Sequence, residues 1–198
     1  MSSKQTPSQT IGPFFAYGLT PGQYGYDFAS LAEGNLLEKS PDESATRIEI
    51  VGQVYDGEGQ LVSDAMIEIW QADGQGRYSH PNDPRSSNSG FEGFGRFGTG
   101  TEENNSFKFT TVKPGSVDGQ QAPHINVVVF ARGMLSHAYT RIYFADEAQS
   151  NEKDELLKSV PKERQHTLIA HADESLGPHT YRFDIHLQGD KETVFFDV

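Results

Sequence analysis

Cysteine is absent from the 198 residues, which excludes disulfide frameworks, zinc–thiolate sites and iron–sulfur clusters. No segment approaches the roughly 18 apolar residues of a membrane-spanning helix. Positive charge is scarce: 16 Lys and Arg stand against 28 Asp and Glu, for a formal net charge of -12. Nucleic acid and anionic membrane both reward clustered cations, so neither is expected as a partner. A small anionic substrate stays possible, because one local arginine overrides the global sign at short range. The start, Met1-Ser2-Ser3-Lys4-Gln5-Thr6, has no apolar stretch of the kind a secretory leader carries, and a cytoplasmic location is expected.

What is present is punctuation and alternation. Twenty glycines and ten prolines separate short runs of period two, the mark of an all-β domain. In Arg47–Tyr55, Ile48, Ile50 and Val54 share one face, opposite Arg47, Glu49 and Gln53. The turn Asp56-Gly57-Glu58-Gly59 leads to a second alternating run at 65–70, whose Trp70 is expected in the core. Further strands are expected at Ser106–Val112, at His124–Phe130 (apolar enough to be buried on both faces), at 139–144, at 181–187 and at 192–198. A β-sandwich core accounts for this pattern. Residues 151–160 and 163–170 have helix-forming composition and are read as one or two short helices. Residues 82–100, rich in Ser, Asn and Gly, read as a long surface loop. The domain is thus placed at 47–198, behind an irregular N-terminal arm at 1–46. That arm holds Phe14, Phe15, Tyr17, Tyr24, Tyr26 and Phe28, too many aromatics for a disordered tail, and is expected to pack on its own domain and on a partner chain.

From residue chemistry alone a metal site is a minority reading. Tyr78 follows a glycine turn, where tyrosine is usually a packing residue with a wet hydroxyl. His124 opens an apolar strand, where a lone histidine is usually a hydrogen-bonded core residue. His80, His137, His166, His171 and His179 are scattered without ligand spacing, and the alternation around His186 points it away from the apolar face.

Five motifs in consistent order change the weighting: Thr10-Ile11-Gly12-Pro13-Phe14, Gly52-Gln53-Val54-Tyr55-Asp56-Gly57 with Glu68-Ile69-Trp70-Gln71-Ala72, Lys113-Pro114-Gly115, Pro123-His124-Ile125, and Tyr181-Arg182-Phe183-Asp184-Ile185. Together they span nearly the whole chain, which resembles the intradiol ring-cleaving dioxygenases, most closely the non-catalytic subunits of its heteromeric members. The resemblance implies Fe(III) held by two tyrosines and two histidines. Carried over by position, Tyr78 and His124 match ligands, whereas Val117 stands for the second tyrosine and Asn126 for the second histidine. Gln121 stands where catalytic chains carry an arginine beside the substrate.

Amide and alkyl groups are poor substitutes for imidazole and tyrosinate around ferric iron, so Tyr78 and His124 are read as relic ligand positions. No metal and no catalytic residue is expected in this chain. The resemblance then implies that Fe(III) is held by a homologous beta subunit, an obligate partner within a larger hetero-oligomer. It also implies that the pair inserts O2 into 3,4-dihydroxybenzoate between the hydroxyl-bearing carbons, giving 3-carboxy-cis,cis-muconate. Thr10, Gly12, Pro13 and Arg132 match residues that reach the partner's substrate pocket. The blander alternatives are a capping Thr10, a bend at Pro13 and an interface salt bridge at Arg132. Two other functions compete: a self-sufficient intradiol dioxygenase with altered ligands, and a transthyretin-like β-sandwich binding module, for which the segment 52–70 alone would suffice.

Overall fold

A computed structural model of the chain describes residues 12–37, 45–85 and 90–198. Within them the strands are β1 Arg47–Tyr55, β2 Met66–Gln71, β3 Phe94–Gly98, β4 Ser106–Val112, β5 His124–Phe130, β6 Ala138–Phe144, β7 Ile169–Ala172, β8 Thr180–Arg182 and β9 Ile185–His186. They join in one curled sheet of order β3-β2-β5-β6-β7-β8-β1-β4, with β9 also on β1. The class is all-β, as the alternation implies, and the two layers of the expected sandwich are the two halves of this single sheet. Ile48, Ile50 and Val54 from β1 and Phe107 and Phe109 from β4 share one apolar core with Ile67, Ile69, Ile125, Val127 and Ile142 from β2, β5 and β6.

The arm contains a helix, α1 Pro13–Leu19, and a 3-10 turn at Pro21–Tyr24. Its residues 33–36 lie between the two terminal strands of the sheet. Arg96 N on β3 donates to Glu33 O (3.2 Å), Thr110 N on β4 donates to Gly34 O (2.9 Å), and Leu36 N donates to Thr110 O (2.9 Å). Terminal strands expose unpaired backbone groups that invite wrong pairing; here one short segment occupies both edges. The approach is close: a Cβ on Gly34 would lie 2.4 Å from the Phe97 ring and 2.7 Å from Lys108 O.

Several elements differ from the sequence expectation. The supposed loop 82–100 contains β3, whose glycines mask an alternation that pairs in register with β2, Ile67 opposite Phe97. Helical composition around 151–170 yields only short pieces, α2 Ala148–Asn151, α3 Glu155–Ser159 and α4 Lys162–Gln165. Ile169 and Ala170 instead open β7, pairing with Tyr143 and Phe144, while His171 and Ala172 pair with Arg182 and Tyr181. That segment is the hinge of the curled sheet, and two strand partners outweigh local propensity. The expected strand 181–187 divides at Phe183 and Asp184, where the Asp184 carboxylate accepts from Gln53 N (3.1 Å) in place of a ladder carbonyl. Residues 192–198 form no strand, only an isolated bridge from Phe196 to Tyr139. β5 is not buried on both faces: Asn126, Val128 and Phe130 are half-buried. Trp70 is likewise half-buried, turned away from the core and stacked on Tyr78 (5.7 Å, 20°).

Candidate functional site

The turn that presents Tyr78 is organised by one carboxylate. Asp73, 2% exposed, accepts from Gln75 N (2.9 Å) and Arg77 N (3.0 Å), while Arg77 Nε returns to its other oxygen (3.0 Å). This is the local turn chemistry that Asp favours. Asp73 O accepts from Gly115 N (2.9 Å), which fastens the Lys113-Pro114-Gly115 loop, and with it Val117, beside the Tyr78 turn. At Gly76 φ is +76° and a Cβ would meet Ser116 O at 2.0 Å, so only glycine allows the two loops to touch.

These loops and strand β5 bring Tyr78, His124 and Asn126 together. His124 Nδ1 lies 2.8 Å from Ala122 O. A carbonyl only accepts, so Nδ1 carries the proton and Nε2 is bare. Tyr78 Oη, 3.2 Å from Nε2, donates to it. Asn126 Nδ2 donates to Tyr78 Oη (3.0 Å) and to Trp70 O (3.2 Å). Asn126 Oδ1 accepts from Arg141 Nε (2.9 Å), and Arg141 Nη1 donates to Gln121 Oε1 (3.2 Å). The result is a directed chain, Arg141 to Asn126 to Tyr78 to His124 to the Ala122 carbonyl, in which every polar group has its complement.

The electrostatics agree with this assignment. Burial, helped by the Arg141 charge, pushes the His124 imidazole down to about 4, so it is neutral at physiological pH. Burial raises the Tyr78 phenol, against the opposing influence of Asn126 and Arg141, and the hydroxyl keeps its proton. Tyr143, cross-strand from His124, is pushed up to about 12 by burial. Its hydroxyl donates to Asp154 (3.1 Å). A cleft of about 570 Å³ opens over Trp70 and Tyr78, walled by His80, Pro84, Arg85 and Asp118.

Ferric iron does not fit these residues. The His124 lone pair and the Tyr78 hydroxyl satisfy each other, and Asn126 turns N–H groups, not a lone pair, toward the phenol. Val117 offers a buried alkyl group, and a guanidinium borders the site. No group of three or more His, Asp or Glu able to hold a metal occurs among the described residues.

The remaining site expectations fall elsewhere. Thr10 lies outside the described residues. Gly12 precedes α1, and Pro13 opens it, where a missing N–H costs nothing. Arg132 Nε contacts Asp64 (2.7 Å), with the arginine side chain 65% exposed. Arm and Arg132 loop meet at one end of β5 through the Phe15–Phe130 ring contact (6.3 Å). His124 is at the other end, six residues or about 20 Å away along the strand. Arg141 and Asp154 were not singled out from sequence. The available signal was a lone arginine in the apolar run 139–144, informative only once the register sets Arg141 opposite Asn126.

Neutral, buried His124 carries an acid liability. Its folded pKa lies below the unfolded value near 6.5, so the unfolded chain binds the proton first as pH falls. Stability should therefore be full above pH 6.5 and decline toward pH 4, by about 3 kcal/mol from this group. Melting temperatures at pH 7 and pH 4.5 should fall further apart in the native chain than in His124→Gln; equal differences would show that the ring titrates freely in the folded state.

The Dioxygenase family model matches residues 19–189. The protocatechuate 3,4-dioxygenase alpha chain of Burkholderia cepacia is 53% identical over 196 residues, 98% of this chain and 98% of that one. The protocatechuate 3,4-dioxygenase beta chain of Burkholderia cepacia is 29% identical over 167 residues, 78% of this chain and 70% of that one. Among solved structures, the dioxygenase domain of a carbohydrate-binding protein fusion from Streptomyces sp. SirexAA-E shares the fold, with a TM-score of 0.61 at 23% identity over 94% of this chain and 99% of that one. A full-length motif order, a curled sheet that brings Tyr78, His124 and Asn126 together and these matches together place the chain in the intradiol ring-cleaving dioxygenase family.

Proposed function

We propose that the chain is the alpha subunit of a protocatechuate 3,4-dioxygenase, bearing no iron itself and completing the active site of an iron-bearing beta subunit. The reaction is intradiol cleavage of 3,4-dihydroxybenzoate by O2 to 3-carboxy-cis,cis-muconate, carried out in the cytoplasm by a hetero-oligomer of paired alpha and beta chains. The observation that carries the reading is the closed hydrogen-bond chain through Tyr78, His124 and Asn126: a family member has filled its own metal position with self-satisfied polar groups.

The contribution to catalysis belongs to the opposite end of β5. There the arm helix packs on Phe130, and Arg132 stands exposed beside Asp64. Among the described residues nothing lies within 4 Å of a Cβ position on Gly12, which leaves room there for a partner to press against the backbone. Tyr26, Phe28, Leu31 and Leu135 are 49%, 55%, 90% and 92% exposed, apolar surface of the kind that marks protein contacts. Thr10, Gly12, Pro13 and Arg132 form the alpha-side wall of the partner's substrate pocket in this reading. No helix among the described residues is long and apolar enough to cross a membrane.

Oxygen uptake with protocatechuate should require co-expression of this chain with its homologous partner, each alone being inactive. Activity from this chain alone would revive the self-sufficient reading. Within the complex, Arg132 pairs with the substrate carboxylate, a charge-assisted contact worth about 1.5–3 kcal/mol. Arg132→Ala should therefore raise the apparent KM for protocatechuate about tenfold or more, and leave that for catechol, which lacks the carboxylate, nearly unchanged. Equal effects on both substrates would remove Arg132 from the pocket.

A further inference from the structure

We propose that Arg141 keeps ferric iron off this subunit, so that an enzyme built from two homologous pockets metallates only one. Arg141 on β6 is the register partner of Asn126 on β5, which puts its guanidinium beside the position of the missing second histidine. Its hydrogen bonds run to neutral groups, Asn126 Oδ1 at 2.9 Å, Gln121 Oε1 at 3.2 Å and the Tyr143 hydroxyl. It forms no salt bridge among the described residues, so its charge is left uncancelled by direct pairing. In a half-buried site that charge acts through low dielectric on any cation approaching Tyr78 and His124, and a trivalent ion feels it threefold.

The charge is thus a barrier that restoring the ligand count would not remove. Val117→Tyr with Asn126→His would restore two tyrosines and two histidines, yet leave the guanidinium at the rim of the new coordination sphere. Asn126→His also removes one acceptor that holds Arg141, freeing it to compete for the phenolate oxygens. Arg141 is in this way a second barrier to metal, beside the missing ligands.

The test uses the full chain without its partner, dialysed against Fe(III) supplied as citrate. Val117→Tyr/Asn126→His is compared with the same pair carrying Arg141→Gln, by iron content and by visible tyrosinate-to-iron absorption. The triple variant should hold about one iron per chain and colour, and the double variant should bind at least about a hundredfold more weakly. Equal uptake by both, or none by either while both melt cooperatively, overturns the proposal. A single change covers misfolding of the multiple variants. Arg141→Gln in the native chain should tighten Co(II) binding, read from its visible spectrum, at least tenfold, and His124→Gln should abolish the gain. Unchanged Co(II) affinity overturns the proposal as well. The inference takes its consequence from the subunit reading above, but these measurements omit the partner, so their failure leaves the co-expression result standing.

Discussion

Asp154→Ala should lower stability by about 4 kcal/mol, a fall in melting temperature of roughly 8–16 °C for a chain of this size. The Asp154 carboxylate is fully buried and accepts from three donors on three segments. Leu157 N (2.9 Å) makes it the N-cap of α3. Ala122 N (2.9 Å) ties down the approach to His124, and the Tyr143 hydroxyl (3.1 Å) anchors β6. Removing it strands two backbone N–H groups, one of them the capping bond of α3, and a phenol away from water, each costing about 1–3 kcal/mol. Around it, Ala122, Tyr143, Leu157, Val160 and Leu168 form a second apolar cluster, which limits the entry of rescuing water. Asp154→Asn keeps one acceptor oxygen and should recover about half the loss. A change below about 1 kcal/mol in Asp154→Ala would show that these bonds are replaced rather than lost.

Gly76→Ala should be comparably damaging, by about 3 kcal/mol or more, through two separate causes. A side chain at φ +76° is strained, and its Cβ would overlap the Ser116 carbonyl at 2.0 Å. Relief requires the Tyr78 turn and the Gly115–Val117 loop to part, so the Trp70–Tyr78 stack should open and tryptophan emission shift. Gly59→Ala supplies the control. There φ is +75° with nothing within 4 Å, so backbone strain acts alone and the loss should be about 1 kcal/mol. Equal losses at the two positions would mean that loop contact contributes nothing.

The strands that could be read in advance are those whose alternation a packed face enforces. β1, β4 and β6 show it plainly because one side of each lies in the core. β3 was hidden because glycines stand at 95 and 98, where Leu36 of the arm packs on Gly95 and Thr20, Gln23 and Tyr24 face Gly98. β7 was hidden because its strand character comes from partners at 143–144 and 181–182, not from its own residues. At the site, the motifs carried Tyr78, His124 and Asn126, which the fold brings together. They were silent on Arg141 and Asp154, whose importance depends on strand register and on a helix start more than ten residues beyond the motif. The turn at Asp73 lay between the two, present in the sequence as an Asp-Gly run but without the loop it holds.

The pairing of β1 with β8 has a consequence for biosynthesis. Val51 meets Arg182, about 130 positions later, and Val54 meets Ile185. One side of β1, the strand next to terminal β4, therefore stays bare until residues 180–186 are free to pair with it. Nascent chains can form the β2–β3 and β5–β6 pairs early, but the curled sheet closes only once β8 and β9 are available to β1. A chain cut short before Thr180 lacks the strand that joins β7 to β1, and its two halves of the sheet should stay unjoined.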